Sequence, residues 1–321
     1  MESLIFSLNA TVPIFLTMVV GYILKQIKML DDHFVKILNT FNYKVSLPML
    51  LFLDLFQSDF YKVWDTKYVL YCFFVTLTCI VAIWVLAELF YKDKTIVGEF
   101  IQASYRGSAA VLGLAFIQNI YGEATTAPLM IIGTVPLYNF MAVLVLSFTD
   151  PTKLDSDGKN KLDAATLKKS IIGILTNPMI ISIALGLVAS LIHLPIPAIL
   201  VKTANNFAVL ASPLALIGLG AGFEGKKALK KLKPTLVASA IRLIIQPAIF
   251  LPLAAYMGFR GEKMVGLLIM LGAPTTASCY IMAKNMHHEG VLTSSVVVTT
   301  TFLSAITMTF WLFVMHNLGL V

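Results

Sequence analysis

Charge is what this sequence has least of. Only 13% of its 321 residues are Asp, Glu, Lys or Arg, while 58% are hydrophobic. A water-soluble domain built from that balance could not cover its own surface, so the solvent for most of the chain is lipid. Basic residues are also missing where a cleavable leader would need them. The chain opens with Glu2, and its first basic residue, Lys25, follows the first apolar run instead of preceding it; that run is read as a retained span. Cysteine is scarce. Cys72, Cys79 and Cys279 lie inside apolar stretches, where a thiol serves as a small buried hydrophobe, and neither a disulfide framework nor a thiolate metal centre follows from them. Carboxylates are nearly absent from the apolar runs: Asp54 stands near the end of the second and Glu88 near the end of the third. With no carboxylate pair at mid-depth, a proton relay or cation antiport has no obvious carrier.

What is present is a series of long apolar runs. A bilayer core takes about 20 apolar residues as a helix, and only helices or closed barrels satisfy their backbone there. The runs are too long for barrel strands. Reading between charged residues and Pro or Gly breaks predicts an all-α membrane protein with spans over 5–24, 37–56, 68–91, 101–120, 126–148, 171–193, 197–222, 234–256, 264–283 and 291–315. The one long hydrophilic stretch, 150–170, divides the chain into five-helix units over 1–149 and 171–321. The net charge of +7 would suggest nucleic acid in a soluble protein, but here it belongs to the loops. Placing 150–170 in the cytoplasm puts sixteen lysines in loops on that side, against five basic residues opposite. That satisfies the positive-inside rule and sends both termini outward from the cell membrane.

The halves echo each other. At an offset of 165 residues Pro13 falls on Pro178, Gly21 on Gly186, Pro48 on Pro213 and Gly107 on Gly272. Five spans are an odd number, so the second half would run inverted relative to the first, giving a 5+5 inverted repeat of the kind many secondary transporters use. In such folds the site lies where interrupted helices free backbone groups near the midplane. The ninth span is interrupted at Gly272, Ala273, Pro274, Thr275, Thr276, Ala277 and Ser278: Pro274 lacks an N–H, and hydroxyls stand beside it. Its counterpart in span four is Arg106, Gly107, Ser108, Ala109 and Ala110, with Gly113 following. A Pro kink with small residues for packing accounts for either break alone; two at equivalent positions favour a crossed, interrupted pair.

Arg242 lies eight residues into span eight, roughly 12 Å deep at 1.5 Å per residue. A cation there either meets an anionic ligand or pairs with a carboxylate such as Asp54, and the sequence leaves both open. Asn42, Ser46 and Pro48 mark a break in span two, and Asn139 follows Pro136 in span five; each polar group could touch a ligand or bond a neighbouring helix. Gly218 and Gly222 read as helix packing. His287 and His288, beside Glu289, read as surface residues, because an adjacent pair cannot fill a metal shell. No nucleophile, base or metal-ligand set suggests an enzyme.

These residues resemble the auxin efflux carrier family, whose bacterial members include malate permease-like transporters, over nearly the whole chain. The resemblance rests on Pro13 to Gly21 with a following Lys, Ser46-Leu47-Pro48, Arg106-Gly107 leading to Leu112-Gly113-Leu114, and Asn177-Pro178 ending in Gly186. It continues through Ser212-Pro213-Leu214 before Gly218 and Gly220, Arg242 five residues before Pro247, and Ala273-Pro274. It implies a scaffold of spans one, two, six and seven, a moving domain of spans three to five and eight to ten, and substrate bound where spans four and nine cross. Ser108 stands where the family usually has an Asn, and Ala115 where it usually has the crossing Pro, so the span-four break here depends on glycine and packing. The expected activity is secondary transport of a small organic anion, a carboxylate such as malate or an auxin-like acid; a cation/proton antiporter on the same plan is the alternative. Substrate contacts are expected from Gly107, Ser108, Gly113, Gly272, Pro274, Thr275, Thr276, Ser278, Arg242, Asn42, Ser46 and Asn139. The other expected partners are the lipid bilayer, a coupling proton or sodium ion if one is used, and a second copy if the chain forms a homodimer. No cofactor, metal or nucleic acid is called for.

Overall fold

The computed structural model describes residues 2–57, 65–109, 117–118, 120–121, 126–153 and 164–321. Every regular element among them is helical. The first half contains α1 (Glu2–Gln26), α2 (Asp32–Phe41), α3 (Leu47–Phe56), α4 (Thr66–Phe90), α5 (Val97–Tyr105) and α6 (Ala127–Phe148). The second contains α7 (Ala164–Leu175), α8 (Pro178–Leu191), α9 (Ala198–Ala208), α10 (Ala211–Ala221), α11 (Gly225–Lys230), α12 (Leu232–Ala240), α13 (Gln246–Tyr256), α14 (Glu262–Gly272), α15 (Ser278–Asn285) and α16 (Val291–Asn317). Five helical stretches among the described residues are long and apolar enough to cross a bilayer: Thr66–Phe90, Ala127–Lys153, Ala198–Ala221, Leu232–Tyr256 and Val291–Asn317. Val12–Gln26 and Pro178–Leu191 are shorter apolar helices.

The breaks have local chemical causes. Two π-helical turns, Asn42–Ser46 between α2 and α3 and Ile241–Ile245 between α12 and α13, lie just ahead of Pro48 and Pro247. A proline ring clashes with the carbonyl four residues back and offers no N–H, and a widened turn relieves both problems. The span expected over 171–193 is in fact divided at Asn177, whose backbone is extended and whose side chain caps Met179 N at 2.9 Å. The residue before a proline is driven out of the α region, and Asn177 precedes Pro178. Residues 164–170, expected as linker, already belong to α7. The remaining linker residues 154–163 lie outside the described residues, as do Gly113 and most of the second half of the expected span four.

The core sits around α5 and α14. All nine residues of α5 and every residue of α14 from Met264 to Gly272 are buried, as befits helices surrounded by protein on all sides. Around them pack α4, α6, α13 and α16. On the other flank α1 lies against α10 and α3 against α8. The α1–α10 contact is a backbone approach: a Cβ at Gly220 would run into Met18 O, and one at Gly21 into Ile217 O.

Candidate functional site

Both central helices stop at the same place. α5 ends at Tyr105 and Arg106 turns extended; α14 ends at Gly272 and Ala273 does likewise. The two extended segments cross as an antiparallel bridge between Gly107 and Thr275. Ser108 N donates to Pro274 O at 2.9 Å and Thr276 N to Arg106 O at 3.3 Å. Thr275 is fixed further by Thr300 Oγ1, which accepts from its N–H at 3.0 Å, and by its own hydroxyl, which donates to Ala103 O at 2.8 Å. Each interrupted helix therefore recovers from the other some of the hydrogen bonding it lost.

Arg242 stands behind this crossing and is completely buried. Its Nε donates to Ala273 O at 2.7 Å, Nη2 to Met270 O at 2.7 Å, and Nη1 to Tyr105 O at 2.8 Å and Gln246 Oε1 at 3.2 Å. Gln246 Nε2 donates in turn to Ser104 O at 2.8 Å. The C-terminal ends of α5 and α14 both expose orphan carbonyls and the negative pole of a helix, and one guanidinium serves both. Gly107 makes room for it, since a Cβ there would collide with Arg242 Nη2.

In front of the crossing lies a cavity of about 600 Å³. Of the residues expected in the site, Gly107, Ser108, Pro274, Thr275, Thr276, Ser278 and Asn139 line it. Gly272 and Arg242 lie behind the crossing, the first against Pro247 and the second on the carbonyls described above. Asn42 bonds Ala211 O through Nδ2 at 2.9 Å, and Ser46 is fully buried in the same π turn; neither is part of the cavity wall.

The cation on the wall is Arg106, which the sequence reading treated only as the residue before a break. It is buried; Nη2 donates to Asn139 Oδ1 and Nη1 points at Met282 Sδ. Asn139 is itself steadied by Nδ2 donating to Val135 O at 2.8 Å. Beside Arg106 stands the start of α15, where the Thr276 and Ser278 hydroxyls lie 3.2 Å apart and the helix presents its positive pole. The rest of the wall is largely apolar: Leu47, Leu50 and Leu51 share one face of α3 with Asp54, opposite Ala215, Leu216 and Val297. That face follows helical spacing, whereas the cation it confronts is set by how two distant breaks cross.

The cavity lies on one side of the crossing. Its wall runs along α3 from Leu47 to Asp54, along α6 as far as Asn139 and along α10 as far as Leu216. On the side where α6 ends, the bundle is packed shut. A Cβ at Gly218 would meet Asn39 Oδ1 and one at Gly222 would meet Tyr280 OH, while Asn285 Nδ2 donates to Asn39 O at 3.2 Å. Of the two histidines expected at the surface, His287 is exposed and His288 is not. His288 is buried, its Nε2 lying 3.1 Å from Leu146 O and its Cε1 beside Gly98. The absence of a side chain on Gly98 opens the slot the ring fills.

Residues 6–312 match the model of a family described as membrane transport protein. The chain is also 23% identical over 319 residues to an uncharacterized transporter of Methanocaldococcus jannaschii, covering 95% of this chain and 97% of the relative.

Proposed function

Since this chain belongs to the membrane transport protein family, we propose that it is a secondary transporter that carries a small organic anion through the membrane by alternating access. The observation that carries this reading is Arg106, a buried guanidinium on the cavity wall next to the N-terminal pole of α15 and the hydroxyls of Ser108, Thr276 and Ser278. An anionic head group gains from each of these, and most of all where water is excluded. The apolar wall of α3 suits a carboxylate with a hydrocarbon or aromatic body, and a volume of this order accommodates more than a three- or four-carbon acid. Gly107, Pro274, Thr275 and Asn139 shape the same pocket. Gly272 and Arg242 hold the crossing in place, and Asn42 ties the π-helical turn before α3 to the start of α10.

In the full reading the chain makes ten spans in a 5+5 inverted repeat. Spans one, two, six and seven form a scaffold (α1 to α3 and α7 to α10), and spans three to five and eight to ten form the moving part. The linker and the lysine-rich loops face the cytoplasm, so the cavity opens outward and the contacts of Asn39, Tyr280 and Asn285 close the cytoplasmic side.

The test is uptake of radiolabelled carboxylates, from malate to aromatic monocarboxylates, into proteoliposomes containing the purified protein. At least one acid should be taken up by the wild type and not by Arg106→Gln. Absence of organic-acid movement, with sodium or proton flux in its place, would favour the antiporter alternative and overturn this reading.

A further inference from the structure

The turn that joins α10 to α12 carries a concentration of charge that the cavity does not use. Within Glu224–Lys233 there are five lysines. Two are neutralised inside the protein: Lys227 pairs with Glu224 at 2.9 Å and with Glu289 at 3.3 Å, and Lys231 pairs with Glu289 at 2.6 Å. Lys226, Lys230 and Lys233 enter no ion pair among the described residues, and all three are exposed. Lys226 and Lys230 stand four residues apart on α11, the spacing that places side chains on one face of a helix, and Lys233 lies in the first turn of α12, beyond the turn at Lys231. Leu229 on α11 and Leu232 and Leu236 on α12 are exposed to 71%, 49% and 50%. Apolar surface this open beside three unpaired cations is costly in water. It is the pattern of a chain entering the bilayer, with α11 at the head-group level and α12 opening the apolar stretch Leu232–Tyr256 that is long enough to cross.

We infer that residues 225–236 form a docking surface for anionic phospholipid head groups, with Leu229, Leu232 and Leu236 set into the acyl boundary and Lys226, Lys230 and Lys233 on the phosphates above it. The partner follows from charge complementarity: three unpaired cations in a row need a surface of repeated negative charge at the depth where the leucines end. Lys227 and Lys231 meanwhile bind the turn to Glu289 in the loop before α16. The surface is independent of the identity of the transported solute.

The full-length protein in neutral detergent, titrated with mixed micelles of phosphatidylglycerol or phosphatidylcholine and followed by thermal unfolding, tests this. Phosphatidylglycerol should raise the unfolding temperature at mole fractions where phosphatidylcholine does not, and about 1 M salt should abolish the difference. In K226Q/K230Q/K233Q the half-saturating mole fraction should rise on the order of a hundredfold, and in Lys226→Gln or Lys230→Gln alone about fivefold. Lys202→Gln, remote in sequence, should leave it unchanged. If the triple variant fails to fold, the single variants carry the test. The inference is overturned if these variants keep the wild-type response, or if inorganic phosphate or soluble glycerol phosphate reproduces it, which would mean a site for a free anion.

Discussion

At the scale of the residue, two buried arginines some 136 positions apart have opposite duties, and substitutions separate them. Arg242 satisfies the carbonyls of Tyr105, Met270 and Ala273 at once, and a buried acceptor left without a donor costs about 1–3 kcal/mol. Arg242→Gln should therefore destabilise the fold by roughly 3 kcal/mol or more, seen as loss of monodisperse protein after membrane extraction. Arg106 serves two side-chain acceptors, Asn139 Oδ1 and the weak acceptor Met282 Sδ, and faces the cavity. Arg106→Gln should leave expression and the elution profile intact while reducing anion uptake at least about tenfold, since one charge-assisted contact to a bound anion is worth about 1.5–3 kcal/mol. The reverse pattern, a stable Arg242 variant without transport and an unfolded Arg106 variant, would exchange the two assignments. Gly107 belongs to the same account: in Gly107→Ala the new methyl and the Arg242 guanidinium compete for one space. The expected result is a loss of about 1–3 kcal/mol, measurable as a lower unfolding temperature, with the crossing disturbed enough to stop transport.

At the scale of the element, what could be read in the sequence is what local chemistry decides. Pro274 and Gly107 break their helices for reasons contained within a few residues, and the paired interruptions were visible before any coordinates. The same is true of the irregular turn ahead of Pro48, whereas Pro136 leaves its helix unbroken from Ala127 to Phe148 and Asn139 lines the cavity. What could not be read depends on contacts between elements distant in the chain. His288 reads as a surface residue because nothing nearby in sequence announces that Gly98, nearly two hundred residues earlier, leaves a slot for its ring. Glu99 gave no signal either, yet it is fully buried and caps α16, accepting from Gly290 N at 2.8 Å, Thr293 N at 2.9 Å and Thr293 Oγ1 at 3.0 Å. Burial depresses the His288 pKa below its ordinary 6.5; the Leu146 carbonyl, Glu99 and Asp150 pull it up, and His287 adds to the depression. The folded chain thus holds a neutral ring, while the unfolded chain takes up a proton near 6.5. Between 6.5 and the lower folded value the unfolded state binds more protons, so stability falls as pH falls through that window and this group adds no slope above it. Unfolding temperatures measured from pH 7.5 to 5.0 should decline below about 6.5 in the wild type, and the decline should be shallower in His288→Asn. Parallel curves for the two proteins would remove His288 from the explanation.

At the scale of the whole molecule, the cavity and the sealed side make a prediction about movement. Alternating access requires that the contacts closing one side separate when the other side closes. Here those contacts join α15, the second half of an interrupted helix whose first turn lines the cavity, to α2 and α10 on the proposed scaffold: Asn285 to the Asn39 carbonyl, and Tyr280 against Gly222. If the crossing travels with α15, tethering α15 to α2 should trap the state described here whatever solute is offered. Cysteines at positions 39 and 285, joined by a short reducible thiol cross-linker, should bring uptake down to the background of empty liposomes, and reduction should restore it. Each single cysteine variant treated in the same way should transport normally, because Cys72, Cys79 and Cys279 are buried and offer the reagent no second partner. Complete cross-linking with uptake undiminished would mean that α15 and α2 stay together through the cycle, and the boundary between moving and static parts would then have to be drawn elsewhere.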